Sequence, residues 1–224
     1  MFMDDDGPDL SDPHALSRRA LLKRAAAVGA ALSAPACALT GSAPEPLSAR
    51  FEALTRFESD VLEAIVARLI PTNEDGPGAT EARAARYIDR ALGGALAGSH
   101  AAYTSGLAAL DAYARSSRGA AFVQLSAPAQ DAVLTDVERN LAPGFAPDST
   151  TFFEMVRTHT IEGTFCDPAY GGNADFVGWE LVSYPGLRLA VGSEQQQLSE
   201  VPGPRYRSAY DFVQFSPPRV TRGR

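Results

Sequence analysis

The most constraining feature of this sequence is the spacing of its apolar residues, which recur at steps of three and four before Pro71. This period places the side chains on one face of an α-helix, and proline cannot continue the helix. Four further segments up to residue 164 share the period, and none keeps the alternation of a β-strand. We therefore predict an all-α fold, a single compact domain of about five to six helices over residues 51–192. The apolar residues of the first helix are Phe57, Val61, Leu62, Ile65, Leu69 and Ile70.

The other four helices are placed by their caps and breaks. We expect Ser126 to cap its helix, because serine at this position accepts a backbone hydrogen bond, and Pro128 then fits the first turn. The four helices are predicted at about residues 79–92, at about 100–116, from 126 onward, and from Asp148 or Ser149 to about 164. Their predicted inward residues are Ala82, Ala85, Tyr87, Ile88, Leu92, Tyr103, Leu107, Leu110, Tyr113, Val133, Leu134, Val137, Phe152, Phe153, Val156 and Ile161.

The composition changes after the fifth helix. Residues 166–192, here called the aromatic segment, are rich in glycine, proline and aromatic side chains. We expect one helical turn in this segment, around residues 174–181. Residues 193–224 are polar and proline-rich, so they cannot build a core alone and are predicted to form an extended or disordered C-terminal arm.

The N-terminal 36 residues have the pattern of a twin-arginine signal peptide. A mild, alanine-rich apolar run follows the motif, and Ala34-Pro35-Ala36 offers the small residues that signal peptidase accepts. The run is about half the length of a membrane-spanning helix. Residues 37–50 are rich in alanine, serine and proline and are predicted to be a linker. The residues of the export motif are Ser17, Arg18, Arg19, Leu21, Leu22 and Lys23.

Composition excludes several function classes. The net charge of −7 argues against nucleic acid or an anionic membrane as the partner. The sequence has no haem-attachment motif, no iron–sulfur cysteine cluster and no dinucleotide-binding glycine pattern. Only two cysteines are present, too few for a disulfide framework. Two states stay open: Cys37 and Cys166 can pair, or Cys37 carries a lipid and Cys166 is a lone thiol. The twin-arginine route exports folded proteins, and an exported chain without a cofactor motif suggests an escort for a cofactor-containing enzyme.

No group of residues makes a convincing catalytic or metal site. His159, Glu162 and Cys166 lie close in sequence, but a metal site needs three or four converging ligands. A thiol nucleophile also needs a positioned base. We therefore expect His159 to be a helix-surface or capping residue and Cys166 to be a buried structural cysteine. The acids Glu74 and Asp75 are expected to be solvated loop residues. We therefore predict no catalytic, cofactor-binding or metal-binding residue in this chain.

The aromatic segment contains the best candidates for a partner interface. Its glycines permit positive φ angles and close backbone approach, and its large amphipathic side chains are of the kind enriched at interface anchors. A tight turn packed by its own aromatic side chains is the alternative, and the residues alone do not separate the two. The candidates are Asp167, Tyr170, Gly171, Gly172, Asn173, Trp179 and Tyr184.

A set of short motifs gives the chain a family resemblance. They are the leader Ser17-Arg18-Arg19, then Arg68-Leu69-Ile70-Pro71, Pro77-Gly78-Ala79, Tyr87-Ile88-Asp89, Phe153, Val156-Arg157, Thr160-Ile161-Glu162-Gly163, Asp167-Pro168-Ala169-Tyr170-Gly171-Gly172-Asn173, Gly178-Trp179 and Tyr184-Pro185-Gly186. With these, residues 17 to about 188 resemble the gluconate 2-dehydrogenase subunit 3 family. The run from Asp167 to Gly186 is the specific part, whereas the arm after residue 192 matches nothing in the family pattern.

The resemblance implies a non-catalytic small subunit that accompanies a GMC-type flavoprotein dehydrogenase for sugars, polyols or sugar acids. No cofactor is then expected in this chain. FAD is expected in the large subunit, and haem c in a possible third subunit, a multihaem cytochrome. The implied location is the periplasm, reached through the twin-arginine translocase, with inner-membrane association through partner subunits. The small subunit would supply the export signal and support folding of the large one. The alternative is an independent periplasmic enzyme, or a lipoprotein binding module, that uses the loop from Asp167 to Asn173.

Overall fold

The computed structural model describes residues 51–196 and 203–215, and within these ranges the secondary structure consists of helices and turns without a β-strand. The predicted all-α fold is therefore confirmed. The predictions for the leader (1–36), the linker (37–50), Cys37 and the arm residues 197–202 and 216–224 lie outside the described residues. The α-helices are α1 Arg56–Leu69, α2 Ala84–Leu92, α3 His100–Arg118, α4 Ala127–Glu138, α5 Ser149–Phe165 and α6 Val177–Leu181.

Helix α1 begins at a complete capping box. The Thr55 hydroxyl accepts the backbone N–H of Glu58, and the Glu58 carboxylate accepts the backbone N–H of Thr55. The predicted apolar face is correct at its centre, where Val61, Leu62 and Ile65 are buried. The prediction is wrong for Phe57, which is 45% exposed. Side chains of a helix lean toward its N-terminus, so a residue in the first turn projects past the helix end.

Helix α2 starts later than the sequence pattern indicates. Residues 79–83 form turns, and Arg83 has a φ of 59°, a left-handed conformation that does not continue a helix. The segment just before α1 is held against α2 by the buried side chain of Asp89. Its carboxylate accepts the backbone N–H groups of Glu52, Ala53 and Leu54 at 2.7, 2.9 and 2.9 Å.

Helices α4 and α5 lie near their predicted positions. Asp148 is the N-cap of α5, and its carboxylate accepts the backbone N–H of Thr151 at 2.8 Å. Pro128 occupies the first turn of α4 as predicted, but the side chain of Ser126 makes no capping hydrogen bond. The prediction that the Ser126 side chain caps α4 is therefore wrong, although α4 begins at the predicted position.

The core lies where α5 packs against α2 and also contacts α1, α3 and α4. Close approach between α5 and α2 depends on Gly163, because a Cβ there would press on Ala84 and Tyr87. On α3, a Cβ at Gly106 would overlap the ring of Phe152. Small residues at these crossings let the helices pack closely. The largest fully buried side chains are Tyr103, Phe122, Leu62, Ile65, Ile88, Leu107, Leu110, Val61, Val66, Val133, Val137 and Val156.

Candidate functional site

A pocket of about 590 Å³ lies between α2 and the C-terminal half of α5. Its volume is in the range of sites that accept a small molecule or a cluster of side chains from another protein. Most of its wall is apolar, and polar groups stand at intervals around it. The lining residues are Tyr87, Arg90, Ala91, Ala95, Ile161, Glu162, Phe165, Cys166, Ala169 and Tyr170.

The polar groups of the pocket already have hydrogen-bond partners, which are each other, the backbone or, for the Tyr170 hydroxyl, that of Tyr210 in the arm. The Tyr87 hydroxyl donates to the Glu162 carboxylate at 3.2 Å, and Arg90 donates to the carbonyl of Ala169 at 3.3 Å. Burial, with the Glu162 charge next, raises the pKa of Tyr87 to about 12. Burial also raises the pKa of the Cys166 thiol to about 11. A thiol protonated at neutral pH is a poor nucleophile, so this wall is suited to binding rather than to thiol chemistry.

One side of the pocket is formed by a tight turn at the start of the aromatic segment. The Asp167 carboxylate accepts the backbone N–H of Ala169 at 2.9 Å and so caps the 3₁₀ turn Pro168–Tyr170. Gly171 ends this turn with a φ of 98°, a conformation that glycine adopts without strain. The turn leaves the Tyr170 side chain 52% exposed at the pocket edge.

Asn173 connects the turn to the end of α5. It is fully buried, and its backbone N–H donates to the carbonyl of Gly163 at 2.8 Å. Its side chain donates to the carbonyl of Cys166 at 2.7 Å and accepts the backbone N–H of Gly178 at 2.8 Å. The last carbonyls of a helix have no partner within the helix. Asn173 therefore supplies donors to two carbonyls at the end of α5. Gly172 fits beside it because a Cβ would overlap the Gly163 carbonyl oxygen.

Trp179 completes this arrangement. Its indole N–H donates to the carbonyl of Phe165 at 2.9 Å, and its side chain is buried. The ring packs against Phe176 and Tyr184, with centroids 5.1 and 5.0 Å away. Trp179 is thus both a packing residue and a hydrogen-bond donor to the end of α5.

The seven candidate interface residues therefore divide by exposure. Gly172, Asn173 and Trp179 are buried within this chain, as in the alternative of a segment packed by its own side chains. Tyr170 and Tyr184 remain exposed, at 52% and 40%. Asp167 and Gly171 shape the turn between the pocket and the arm. A partner contact through any of the seven stays a prediction.

Sequence reasoning missed most of the pocket. Ile161 was predicted to be buried, and this is wrong, because it is 45% exposed at the pocket wall. Tyr87 and Arg90 were not recognised as site residues, since the pocket forms only when α2 and α5 pack together. The arm was also overlooked as a part of the site. A signal was present, because Ser208 and Asp211 have the spacing of a capping box.

His159 has a structural role. Its Nδ1 atom lies 2.9 Å from the Tyr103 hydroxyl, and the two rings stack. Burial lowers the pKa of His159. Within the described ranges, no group of three or more histidine, cysteine, aspartate or glutamate side chains is placed to hold a metal ion. The same part of the chain has no helix of the length and apolarity needed to cross a membrane.

The fold and the pocket together define a small all-helical domain with a largely apolar pocket at one helix pair. A sequence model of gluconate 2-dehydrogenase subunit 3 matches residues 57–186, which is more than half of the chain. The chain therefore belongs to the gluconate 2-dehydrogenase subunit 3 family. The match ends at Gly186, the last residue of the Tyr184-Pro185-Gly186 motif. No curated protein and no solved structure matches the chain in the corresponding searches.

Proposed function

We propose that this chain is the non-catalytic small subunit of a periplasmic FAD-dependent dehydrogenase complex that oxidises sugars, polyols or sugar acids. In this proposal a GMC-type flavoprotein is the large subunit, and a multihaem cytochrome c is a possible third subunit. The small subunit brings the twin-arginine signal and supports folding of the flavoprotein. The observation that carries the proposal is the family match over residues 57–186 on a chain whose leader contains Arg18 and Arg19.

The distribution of exposed apolar side chains supports a binding role. Ten of the thirteen large apolar side chains that are exposed in the described residues lie at or after Ile161, around the pocket, the aromatic segment and the arm. Exposed apolar side chains that lie side by side mark protein–protein interfaces more often than isolated ones do, and Tyr170 and Tyr210 are in direct ring contact. The loop from Asp167 to Asn173 has its polar groups engaged in internal hydrogen bonds. This arrangement favours a binding surface over the alternative of an independent active site.

Export of both subunits by one leader gives the decisive test. We would replace Arg18 and Arg19 with lysine in the full chain, co-express it with the flavoprotein, and fractionate the cells. Replacing Arg56 and Arg139 with lysine is the matched control, because it makes the same change at two exposed arginines outside the leader. We expect periplasmic dye-linked dehydrogenase activity to fall at least tenfold in the first variant and to stay unchanged in the control.

Normal periplasmic activity in the leader variant would refute the escort function. Purification gives an independent check, because the flavin should be found with the large subunit. A stoichiometric flavin bound to this chain alone, or sugar oxidation by this chain alone, would refute the non-catalytic assignment.

A further inference from the structure

The described part of the C-terminal arm, residues 203–215, lies on the aromatic segment, and we call it the strap. Its first contacts are to the end of the family match. The backbone N–H of Arg205 donates to the carbonyl of Pro185 at 2.8 Å, and Arg188 donates to the carbonyl of Gly203 at 2.8 Å. The backbone of Arg205 runs so close to Gly186 that a Cβ there would overlap the Arg205 carbonyl oxygen.

Asp167 forms the central contact of the strap. Its carboxylate accepts the Ser208 hydroxyl at 2.7 Å and the backbone N–H of Ala209 at 2.6 Å. The strap presents these donors together because Ser208 and Asp211 form a capping box around a single 3₁₀ turn. One side chain therefore holds the turn at the pocket edge and the strap at the same time.

Two pairs of rings flank this carboxylate. Tyr206 stacks on Phe176 with centroids 5.6 Å apart, and Tyr210 meets Tyr170 edge-on at 6.0 Å. The hydroxyls of Tyr170 and Tyr210 lie 3.1 Å apart. Since Tyr170 also lines the pocket, the strap covers the border of the pocket and part of the exposed aromatic surface.

The exposure of the strap's contacts indicates that it can detach from the aromatic segment. None of residues 203–215 is buried, and Tyr206 and Tyr210 keep 38% and 37% of their surface exposed. Burial of apolar surface is the main source of binding free energy. The strap's hydrogen bonds are exposed or, at Asp167, only half-buried, and hydrogen bonds open to water gain little because water replaces them. A segment attached mainly by such contacts opens far more easily than the helical core.

We propose that residues 203–215 are a releasable strap, and that Asp167, Tyr170, Phe176 and Pro185 form a peptide-binding surface that the strap occupies in the free chain. On release, this surface becomes available to the flavoprotein subunit. This second step rests on the proposed function. For a partner that binds only the released state, the apparent affinity is the intrinsic affinity multiplied by the fraction of chains in which the strap is released. The strap therefore lowers the affinity of assembly.

Trypsin digestion can report release of the strap, because trypsin cleaves after arginine and the strap contains Arg205 and Arg207. When opening is fast compared with cleavage, the cleavage rate follows the released population. The test variant is Ala209→Pro, which deletes the N–H that Asp167 accepts. Ser208 has a ψ of 150°, the extended conformation that a following proline requires, and proline is tolerated at the first position of a helical turn. Val213→Ala is the matched control within the strap, since Val213 is 90% exposed.

We expect wild-type chain to be cleaved at Arg205 and Arg207 about 10- to 100-fold more slowly than the Ala209→Pro chain, with the Val213→Ala chain cleaved like wild type. Equal rates for wild type and Ala209→Pro would show that the strap is not held by this contact and would overturn the proposal. If the wild-type strap stays intact over a digestion a thousand times longer than the one that cleaves the Ala209→Pro chain, the proposal that the strap is released in the wild-type chain is overturned. Mass spectrometry assigns each cut.

Assembly is measured with the purified flavoprotein that co-purifies with this chain. We expect Ala209→Pro to lower the Kd for the flavoprotein by a factor of several, up to the factor found by proteolysis. An unchanged or higher Kd would overturn competition between the strap and the flavoprotein. If neither the wild-type chain nor the Ala209→Pro chain binds the flavoprotein, both the proposed function and the competition between strap and flavoprotein are overturned. Release of the strap in the free chain is still tested separately by the proteolysis comparison.

Discussion

Replacing Trp179 with alanine should destabilise the isolated chain strongly, because this residue acts twice in the structure. The indole ring is only 7% exposed and packs between Phe176 and Tyr184. Its N–H donates to the carbonyl of Phe165 at the end of α5. The substitution therefore removes a large buried ring and leaves a helix-terminal carbonyl without its protein partner.

The magnitude follows from the buried area. An aromatic side chain of this size buries about 150–250 Å², which at about 25 cal/mol per Å² corresponds to about 4–6 kcal/mol as an upper bound. Truncations of buried tryptophan to alanine commonly cost about 3–5 kcal/mol, and we expect a value in that range. This is a large share of the about 5–15 kcal/mol that stabilises a typical domain. Trp179→Phe keeps most of the ring but loses the N–H, so we expect a loss of about 1–3 kcal/mol.

The measurement is urea unfolding of the purified chain, followed by helical circular dichroism so that the signal does not depend on the indole. The matched control is Val182→Ala, a truncation three residues away at a side chain that is 56% exposed. A surface change of this kind is expected to alter the free energy of unfolding by less than about 0.5 kcal/mol. Wild-type chain adds a second probe, because Trp179 is the single tryptophan of the sequence and its fluorescence reports on this site alone.

The contrary result is also well defined. If Trp179→Ala melts like wild type while the variant binds the flavoprotein at least 2 kcal/mol more weakly, the residue acts at the partner interface. The packing of the aromatic segment against α5 would then be wrong. If unfolding shifts as expected, Tyr170 and Tyr184 become the residues to test at the interface, because they are the exposed aromatic members of the candidate set.

Two further predictions address other parts of the chain. Asp89→Ala should destabilise the domain by about 3 kcal/mol, because three backbone N–H groups lose their carboxyl acceptor. Urea unfolding checks this, and a loss below about 1 kcal/mol would contradict the anchoring of residues 52–54. The Cys166 thiol, with its pKa raised from 9.0 to about 11 by burial, should be alkylated about a hundredfold more slowly at pH 8 than an exposed cysteine. The rate should rise up to about pH 11, and iodoacetamide labelling of a Cys37→Ser chain measures it. A rate at pH 8 equal to that of the unfolded chain would contradict the burial of this thiol.

Much of the fold could be predicted because helices are encoded locally. The three-to-four-residue spacing that ends at Pro71 predicted α1, and a cap at Asp148 or Ser149 predicted α5, for which the structure selects Asp148. Local signals failed where a conformation depends on more distant packing. The start of α2 is shifted by the left-handed Arg83, and the Ser126 side chain does not make its expected hydrogen bond.

The candidate site was predicted only in part. The run from Asp167 to Gly186 was singled out as the specific part of the family resemblance, and it lies within the matched residues 57–186. The two roles considered for this run could not be separated from sequence, because the same aromatic residues suit a core or an interface. The structure separates them residue by residue, with Trp179 buried and Tyr170 exposed.

The sequence by itself determined the helical class, most helix boundaries and the family, since these depend on spacing, caps and motifs within short stretches. Only the tertiary structure decided which residues meet across long separations. Arg90 reaches the carbonyl of Ala169, Asn173 and Trp179 supply partners for the last carbonyls of α5, and Asp167 holds Ser208. Buried polar groups must find partners wherever the packed chain brings them. Which partner each buried polar group finds depends on the path of the whole chain, and no local sequence pattern encodes that path.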